Sequence, residues 1–202
     1  MTIANDLTAV VVTRHGHGTT ALTIDGLHRQ SVRPGRVLVA DIASPDRVAE
    51  RLSTDSRVEH IRIDQLVSRQ EARRRCLEEV DTELVLLLDN NMLLADGAID
   101  AMLAAAAETG AVQVGPLVAT RGGSVHYSGG VFERARSLSS LGRRIASRRQ
   151  DAGGQFLTPV EEIQGGRKKI EFVESHCGLA RTEALRRPGV LVEGMHNAHT
   201  MC

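Results

Sequence analysis

ELVLLLDNN, residues 83–91, is the stretch of sequence that decides the fold class. Its five consecutive apolar residues, 84–88, are followed at once by an acid and two amides. An unbroken apolar run of this length is typical of a strand that is buried on both faces of a parallel sheet. Ligands of open α/β sheets bind beyond the carboxyl ends of such strands. Asp89 is therefore predicted at a binding edge, where its carboxylate is free to hold a metal ion or a ribose.

Strands and helices alternate on both sides of this run. Strands are predicted at residues 7–13, 37–40, 58–63 and 111–118. Helices are predicted at residues 19–30, 44–52, 68–80 and 96–109, with Thr19 or Thr20 as the first cap and Gly110 as the last stop. Pro34-Gly35 is interpreted as a turn. This order predicts a doubly wound, mostly parallel α/β sheet with helices on both faces.

The pattern changes after residue 118. We predict a short strand with a glycine kink at 124–132, a return to the sheet at 169–173 and a short helix at 182–187. Residues 134–154 contain six arginines and are interpreted as a mobile surface segment. No secondary structure is predicted for residues 192–202.

The composition narrows the classes of function. The 202 residues are enough for one domain with a core, and 42% of them are hydrophobic, which argues against disorder. Lys+Arg and Asp+Glu both number 25, so no basic field indicates a nucleic-acid partner. The three cysteines show no metal-ligand spacing, and reduced thiols in a cytoplasmic protein are expected. No apolar run is long enough to cross a membrane, so any membrane contact is expected to be peripheral.

Five segments carry a family resemblance. They are VVVTRHGHG (10–18), VLVADIASPD (37–46), ARRRCL (72–77), LLLDNNM (86–92) and ESHCGLAR (174–181). In this order they resemble family 2 glycosyltransferases, whose catalytic domain has the GT-A fold. The resemblance implies inverting, metal-assisted transfer of a sugar from a nucleoside diphosphate sugar to an acceptor hydroxyl. It also implies a nucleotide-binding half at residues 1–118 and an acceptor-side portion of the same domain at 119–202.

The resemblance places nucleotide contacts on particular residues of this chain. Asp41 takes the position of the acid that contacts the base, and UDP is the expected nucleotide because a carboxylate can accept the uracil N–H. The remaining nucleotide contacts are expected from Thr13, Arg14, Arg73 and Asp89. A Mg²⁺ or Mn²⁺ ion is expected on Asp89 and Asn91. For Arg73 a solvated helix face is the simpler interpretation, and for the His15-Gly-His17-Gly18 loop it is a flexible turn.

Three positions depart from the family pattern. Asn91 replaces the metal-binding acid, Cys76 replaces a helix glycine, and no acidic pair follows Gly194 to supply a base. Candidates for the base are Glu174, His176, Glu193 and His199. The histidines and cysteines between residues 176 and 202 match no standard zinc module.

Two other functions stay open. A non-catalytic nucleotide-binding or interaction module of the same fold is suggested by Asn91 and the missing acidic pair. A nucleotidyltransferase would share the sheet, but it normally carries a glycine-rich, basic loop after the first strand. The single Arg14 gives that alternative little support, so it ranks last.

Overall fold

Six strands form the central sheet of the computed structural model, which describes residues 2–45, 48, 52, 56, 58–134, 146–149, 156–174 and 176–188. In spatial order they are β3 (Glu59–Ile63), β2 (Val32–Ile42), β1 (Thr2–Thr13), β4 (Leu84–Asp89), β10 (Cys177–Arg181) and β5 (Gln113–Val114). The first four run parallel, and β10 is antiparallel to both of its neighbours. The predicted mostly parallel α/β sheet is confirmed.

The helices whose bounds lie in the described ranges are α1 (His17–Arg29), α2 (Arg69–Glu79), α3 (Ala98–Thr109) and the short α4 (Thr182–Leu185). Alternate residues of each strand face opposite sides, so two apolar cores form. Val11 of β1 belongs to the core that α1 and α3 cover, and Val10 to the core that α2 covers. Each fully buried aliphatic side chain stabilises the folded state by about 1.5–3 kcal/mol relative to an exposed one. Helices therefore cover both faces, as predicted.

Strong local signals correctly predict several elements. The apolar run forms β4, and β3 lies at an edge of the sheet. Ser68 caps α2 by accepting a hydrogen bond from the backbone N–H of Glu71 at 3.1 Å. Gly110 ends α3 with a φ of 64° in the left-handed region. Where the chemistry of a turn or cap is local, the sequence locates the boundary to within about two residues.

The Pro34-Gly35 turn is a wrong prediction, because both residues lie inside β2. Here the pairing with β1 shifts register between Ala4 and Thr8. A β carbon on Gly35 would lie 3.1 Å from the carbonyl oxygen of Ala4. An irregular stretch tolerates a proline, which has no N–H to donate, and a glycine where two backbones approach closely.

The region after residue 118 differs most from expectation. The predicted strand at 111–118 is reduced to β5 and to β6 (Val118–Ala119), which pairs with β7 (Val125–Tyr127). The predicted strand at 124–132 divides at Gly129 into β7 and β8 (Val131–Arg134), and β8 pairs with β9 (Ala146–Arg149). A one-turn 3₁₀ helix covers Val160–Glu162.

The predicted return of residues 169–173 to the sheet is wrong. Phe172 makes only an isolated bridge to Gly130. Cys177–Arg181 enters the sheet instead, between β4 and β5. Most of the helix predicted at 44–52, most of the segment 134–154 and the whole tail 192–202 lie outside the described residues.

Two of the cysteines are free and buried in the described part of the chain. Burial raises the pKa of the Cys76 and Cys177 thiols to about 12, so both are unreactive near neutral pH. Among the described helices, none has the length and apolar character needed to cross a bilayer.

Replacing Gly130 with alanine tests the packing between the residues that join β7 to β8 and the segment before β10. The new β carbon would lie 2.0 Å from the ring of Phe172. We expect Gly130→Ala to lower the free energy of unfolding by about 1–3 kcal/mol through overpacking. Gly18→Ala is the matched control, since no atom lies within 4 Å of the added carbon. Equal urea midpoints for the two variants would contradict this packing.

Acid should weaken the ion pairs within α2 that stabilise this helix. The guanidinium groups of Arg74 and Arg75 hold the pKa of the Glu71 carboxyl at about 2, against an ordinary value of 4.5. The folded-state pKa is depressed, so these ion pairs stabilise the fold above pH 4.5 and lose that effect as the pH falls toward 2. Urea titrations at several pH values should show a smaller acid-induced loss in Glu71→Gln than in the unchanged chain. The control Glu78→Gln should leave the loss unchanged.

Candidate functional site

The carboxyl ends of β2, β1 and β4 form one edge of the sheet. Across it, Asp41 pairs in register with Thr13, and Asp89 pairs with Val12. The backbones of the two acids lie on either side of β1, about 10 Å apart at the usual spacing of neighbouring strands. Both acids therefore stand at the edge where a ligand of an open α/β sheet binds.

The two carboxylates nevertheless face opposite sides of the sheet. Val39 lies in the core beneath α1, so the alternation along β2 turns Asp41 toward that side. Leu87 lies in the core beneath α2, and Asp89 turns the same way. A single ligand that contacted both acids would have to extend across the end of β1.

Asp89 is held by two arginines of α2. Its Oδ1 lies 2.8 Å from Nη2 of Arg73, and its Oδ2 lies 2.8 Å from Nη1 of Arg69. The Arg73 side chain is 1% exposed and that of Arg69 is 41% exposed. Burial lowers the pKa of the Arg73 guanidinium, and the Asp89 charge partly offsets this effect. The interpretation of Arg73 as part of a solvated face is therefore wrong.

Asp41 joins the loops that follow β1 and β2. It is fully buried, and its Oδ1 accepts a hydrogen bond from the backbone N–H of Ser44 at 3.1 Å. Its Oδ2 lies 2.6 Å from Nη1 of Arg62, whose side chain is 40% exposed. The Ser44 hydroxyl in turn accepts a hydrogen bond from the backbone N–H of His15 at 2.9 Å. One carboxylate thus fixes both loops at the edge.

The loop between β1 and α1 is held by a buried amide. The Asn90 side-chain nitrogen lies 3.1 Å from the Thr13 hydroxyl oxygen and donates to the carbonyl oxygen of His15 at 3.0 Å. His15 and Gly16 have φ values of 74° and 86°, and Gly16 rather than a threonine caps α1. The Thr20 hydroxyl donates back to the Gly16 carbonyl at 2.9 Å. These hydrogen bonds leave little freedom for a flexible turn.

The expected metal ligands do not form a ready cation site. Both oxygens of Asp89 already bind guanidinium groups, and Asn91 is an exposed, neutral amide. An amide offers one carbonyl oxygen and no charge. A cation at Asp89 would have to displace Arg69 and would lie close to the buried charge of Arg73. The described arrangement therefore does not fit a divalent ion on these two residues.

A second cluster lies beside Asp89. The Glu174 carboxylate is 8% exposed, and its Oε2 lies 3.9 Å from both Nε2 of His126 and Nδ1 of His176. The His176 carbonyl accepts the backbone N–H of Asp89 at 2.9 Å, so the cluster adjoins the same edge. Glu174 and His176 therefore lie next to the edge that carries Asp89. Glu193 and His199 lie outside the described residues.

Sequence reasoning missed several residues of this edge. They are Ser44, Arg62, Arg69, Asn90 and His126. Asn90 had a usable signal, since it directly follows a buried strand. His126 had none, because it lies 50 residues before His176, its neighbour in the cluster.

Replacing Asp89 tests the buried ion pair. We expect Asp89→Asn to lower the free energy of unfolding by about 3–5 kcal/mol, because it leaves the Arg73 charge buried without its carboxylate. Glu83→Gln is the control near the start of the same strand. It removes an exposed pair with Arg181, which is worth about 0–1 kcal/mol. Urea denaturation gives both values.

A double variant separates charge from packing. Arg73→Met combined with Asp89→Asn removes both charges and keeps similar side-chain volumes, so it should recover most of the stability lost in Asp89→Asn alone. Equal losses in Asp89→Asn and Glu83→Gln would show that the pair is not buried as described.

The described fold is similar to that of many solved structures, and two of them illustrate the likeness. A mannosyltransferase, PcManGT from Pyrobaculum calidifontis in complex with GDP-Man and Mn²⁺, matches with a TM-score of 0.51 and 17% identity over 56% of this chain and 36% of that chain. TarS 1–349 from S. aureus matches with a TM-score of 0.53 and 14% identity over 89% of this chain and 48% of that chain. This chain thus spans half or less of those structures. At such identities the likeness shows a shared GT-A fold.

Sequence comparison adds the family. No curated protein matches the chain. The family model for glycosyl transferase family 2 matches residues 8–186, which include all five of the segments quoted above. This match covers most of the chain and both sides of the binding edge. The chain therefore belongs to glycosyl transferase family 2.

Proposed function

We propose that this chain transfers a sugar from a nucleoside diphosphate sugar, with UDP as the nucleotide, to an acceptor hydroxyl. The observation that carries the proposal is the family match across residues 8–186, which spans an edge bearing both Asp41 and Asp89. The extended shape of a nucleoside diphosphate suits two carboxylates on opposite faces of one strand end. The base would lie on the side of Asp41 and the ribose on the side of Asp89.

Base recognition would use Asp41. Its carboxylate would accept the uracil N–H in place of Arg62, whose side chain is 40% exposed and can turn into water. The uracil N–H would then replace the lost hydrogen bond to the buried carboxylate. Ser44 would keep the carboxylate oriented through its backbone N–H. Thr13 already bonds within the loop, so its role would be to shape the backbone beneath the donor.

Arginines are the charges available for the diphosphate. Arg14 is exposed at the end of β1, and Arg69 is partly exposed on α2. Guanidinium binds phosphate oxygens bidentately, and it can neutralise the charge that grows on the leaving diphosphate. Arg73 is buried too deeply to reach a ligand directly. It would act through Asp89, by keeping that carboxylate aimed at a ribose hydroxyl.

Inverting transfer needs a base for the acceptor hydroxyl, which attacks the anomeric carbon in line with the departing diphosphate. Glu174 and His176 at the edge, and Glu193 and His199 outside the described residues, stay predictions for this role. A Mg²⁺ or Mn²⁺ ion on Asp89 and Asn91 also stays a prediction from sequence. Because those residues do not fit it as arranged, no step is assigned to it.

A non-catalytic nucleotide-binding module is the second candidate. The observation in its favour is that both oxygens of Asp89 are engaged by arginines, while Asn91 replaces an acid. Such a module would bind UDP without transferring or hydrolysing a sugar.

Calorimetric titration with UDP tests the shared premise. We expect UDP to bind the folded chain more tightly than ADP, both with EDTA and with Mn²⁺. Arg14→Gln should weaken binding by about tenfold, the effect of losing one charge-assisted contact. Arg29→Gln, at the far end of α1, should leave it unchanged. A folded chain that binds no UDP would contradict both candidates.

Hydrolysis of UDP-sugars then distinguishes the two. Release of UDP from any UDP-sugar by the folded chain supports the transferase and excludes the non-catalytic module. Binding of UDP with no release across a panel of UDP-sugars and acceptors would support the module.

A further inference from the structure

We propose that His126, Glu174 and His176 form a binding site for a divalent transition-metal ion, Zn²⁺ or an ion with similar ligand preferences. The site is separate from the family motif at Asp89 and Asn91. Each of its residues offers one ligand atom, and the three atoms lie within 4.8 Å of one another. The proposal concerns metal binding alone and does not depend on sugar transfer.

The spacing of the ligand atoms is close to what a metal requires. The two distances to the Glu174 oxygen are 3.9 Å. Around a tetrahedral zinc ion with bonds near 2.1 Å, ligand atoms lie about 3.4 Å apart. The two imidazole nitrogens lie within 4.8 Å of each other, so binding would require both rings to rotate toward the ion. The His126 and His176 side chains are 31% and 23% exposed, so each has room to rotate.

The ligand types select the class of ion. Two imidazoles and one carboxylate suit zinc and its neighbours, whereas Mg²⁺ and Ca²⁺ prefer oxygen ligands throughout. Three protein ligands also leave a coordination position for water or a ligand oxygen, which is the arrangement of open zinc sites. The site would therefore hold an exchangeable ion with a free face rather than a closed structural ion.

The backbone brings the three ligands together before any metal binds. The Tyr127 hydroxyl donates to the Phe172 carbonyl at 2.7 Å, and the Glu171 N–H donates to the Gly130 carbonyl at 2.8 Å. These hydrogen bonds tie the segment before Glu174 to the strand that carries His126. The carbonyl of His176 is tied to β4 through the N–H of Asp89. Ligands held in this way lose little conformational entropy on binding.

The Glu174 carboxylate is nearly removed from water, and a carboxylate in such a place is stabilised by hydrogen bonds and by positive charge nearby. A divalent cation would supply that charge, and so would a protonated imidazole in a metal-free ion-pair cluster. Metal titration separates these two arrangements.

A bound ion would also limit the search for the base. The Nδ1 of a ligated His176 has no lone pair left for a proton, so in the metal-loaded protein the acceptor proton would have to go elsewhere. Binding of the ion and transfer of the sugar are measured by different experiments. A chain that binds no metal ion could still transfer sugar, and a chain that transfers no sugar could still bind the ion.

Titration of the metal-free chain with Zn²⁺ tests the site, using a competing chelator for affinity and Co²⁺ absorption for ligand geometry. We expect one ion per chain at this site and an affinity lowered about tenfold or more in His126→Ala and in His176→Ala, since even residues that only support ligands affect affinity by 10–100-fold. His60→Ala removes a half-buried histidine from β3, at the other side of the sheet, and should have no effect.

Two further variants test whether the ion binds at this cluster and not elsewhere in the chain. Glu174→Gln keeps the shape of the side chain and removes its charge, so it should weaken Zn²⁺ binding while circular dichroism shows a folded chain. His196→Ala/His199→Ala removes histidines outside the described residues and should leave binding intact. The proposal is overturned if the folded chain binds no Zn²⁺. It is equally overturned if binding survives both His126→Ala and His176→Ala, or depends on His196 and His199.

Discussion

The buried ion pair between Arg73 and Asp89 is the interaction on which the binding edge depends. It joins α2 to the end of β4 at a place where the arginine side chain is 1% exposed. A buried guanidinium without its carboxylate would cost several kcal/mol, so neither residue can change alone. The alternation of residues along β4 puts the Asp89 carboxylate on the side of α2, and the pair holds it there. The alternation along β2 puts Asp41 on the other side, where it binds Arg62 and Ser44. The two acids at the ends of β2 and β4 therefore present their carboxylates to opposite sides of the sheet.

The first half of the sheet could be predicted because its signals are local. An unbroken apolar run gives β4, and a capping serine and a terminal glycine give the ends of α2 and α3. The second half could not. Antiparallel pairing of β10 with β4 joins residues that are far apart in the chain, and nothing in the short segment Cys177–Arg181 indicates its partner. The turn predicted at Pro34 was wrong for a related reason. A register shift between two strands depends on both of them, so the sequence of one strand does not show it.

The site divides in the same way. Strand ends followed by Asp or Asn are visible in sequence, and Asp41 and Asp89 both lie at the expected edge. The sequence does not show which residue each charged side chain pairs with, or which face of a helix is buried. Four arginines on α2 read as a solvated face, yet Arg73 is buried and Arg69 binds Asp89, while Arg74 and Arg75 bind Glu71. Only the folded backbone shows which of several similar charges meets a buried partner.

The place of β10 has a consequence for how the chain is made. During synthesis from the amino end, β1 to β4 can pair as soon as they emerge, but the outer side of β4 waits for Cys177–Arg181. Until then its N–H and carbonyl groups form an open strand edge flanked by leucines, which is a template for pairing with another chain. β5 is bonded to β10 and not to β4, so it has no place in the sheet before β10 arrives. Nascent or truncated chains that end before β10 would therefore expose the edge of β4 to pairing with other chains. In the complete sheet β10 covers this edge.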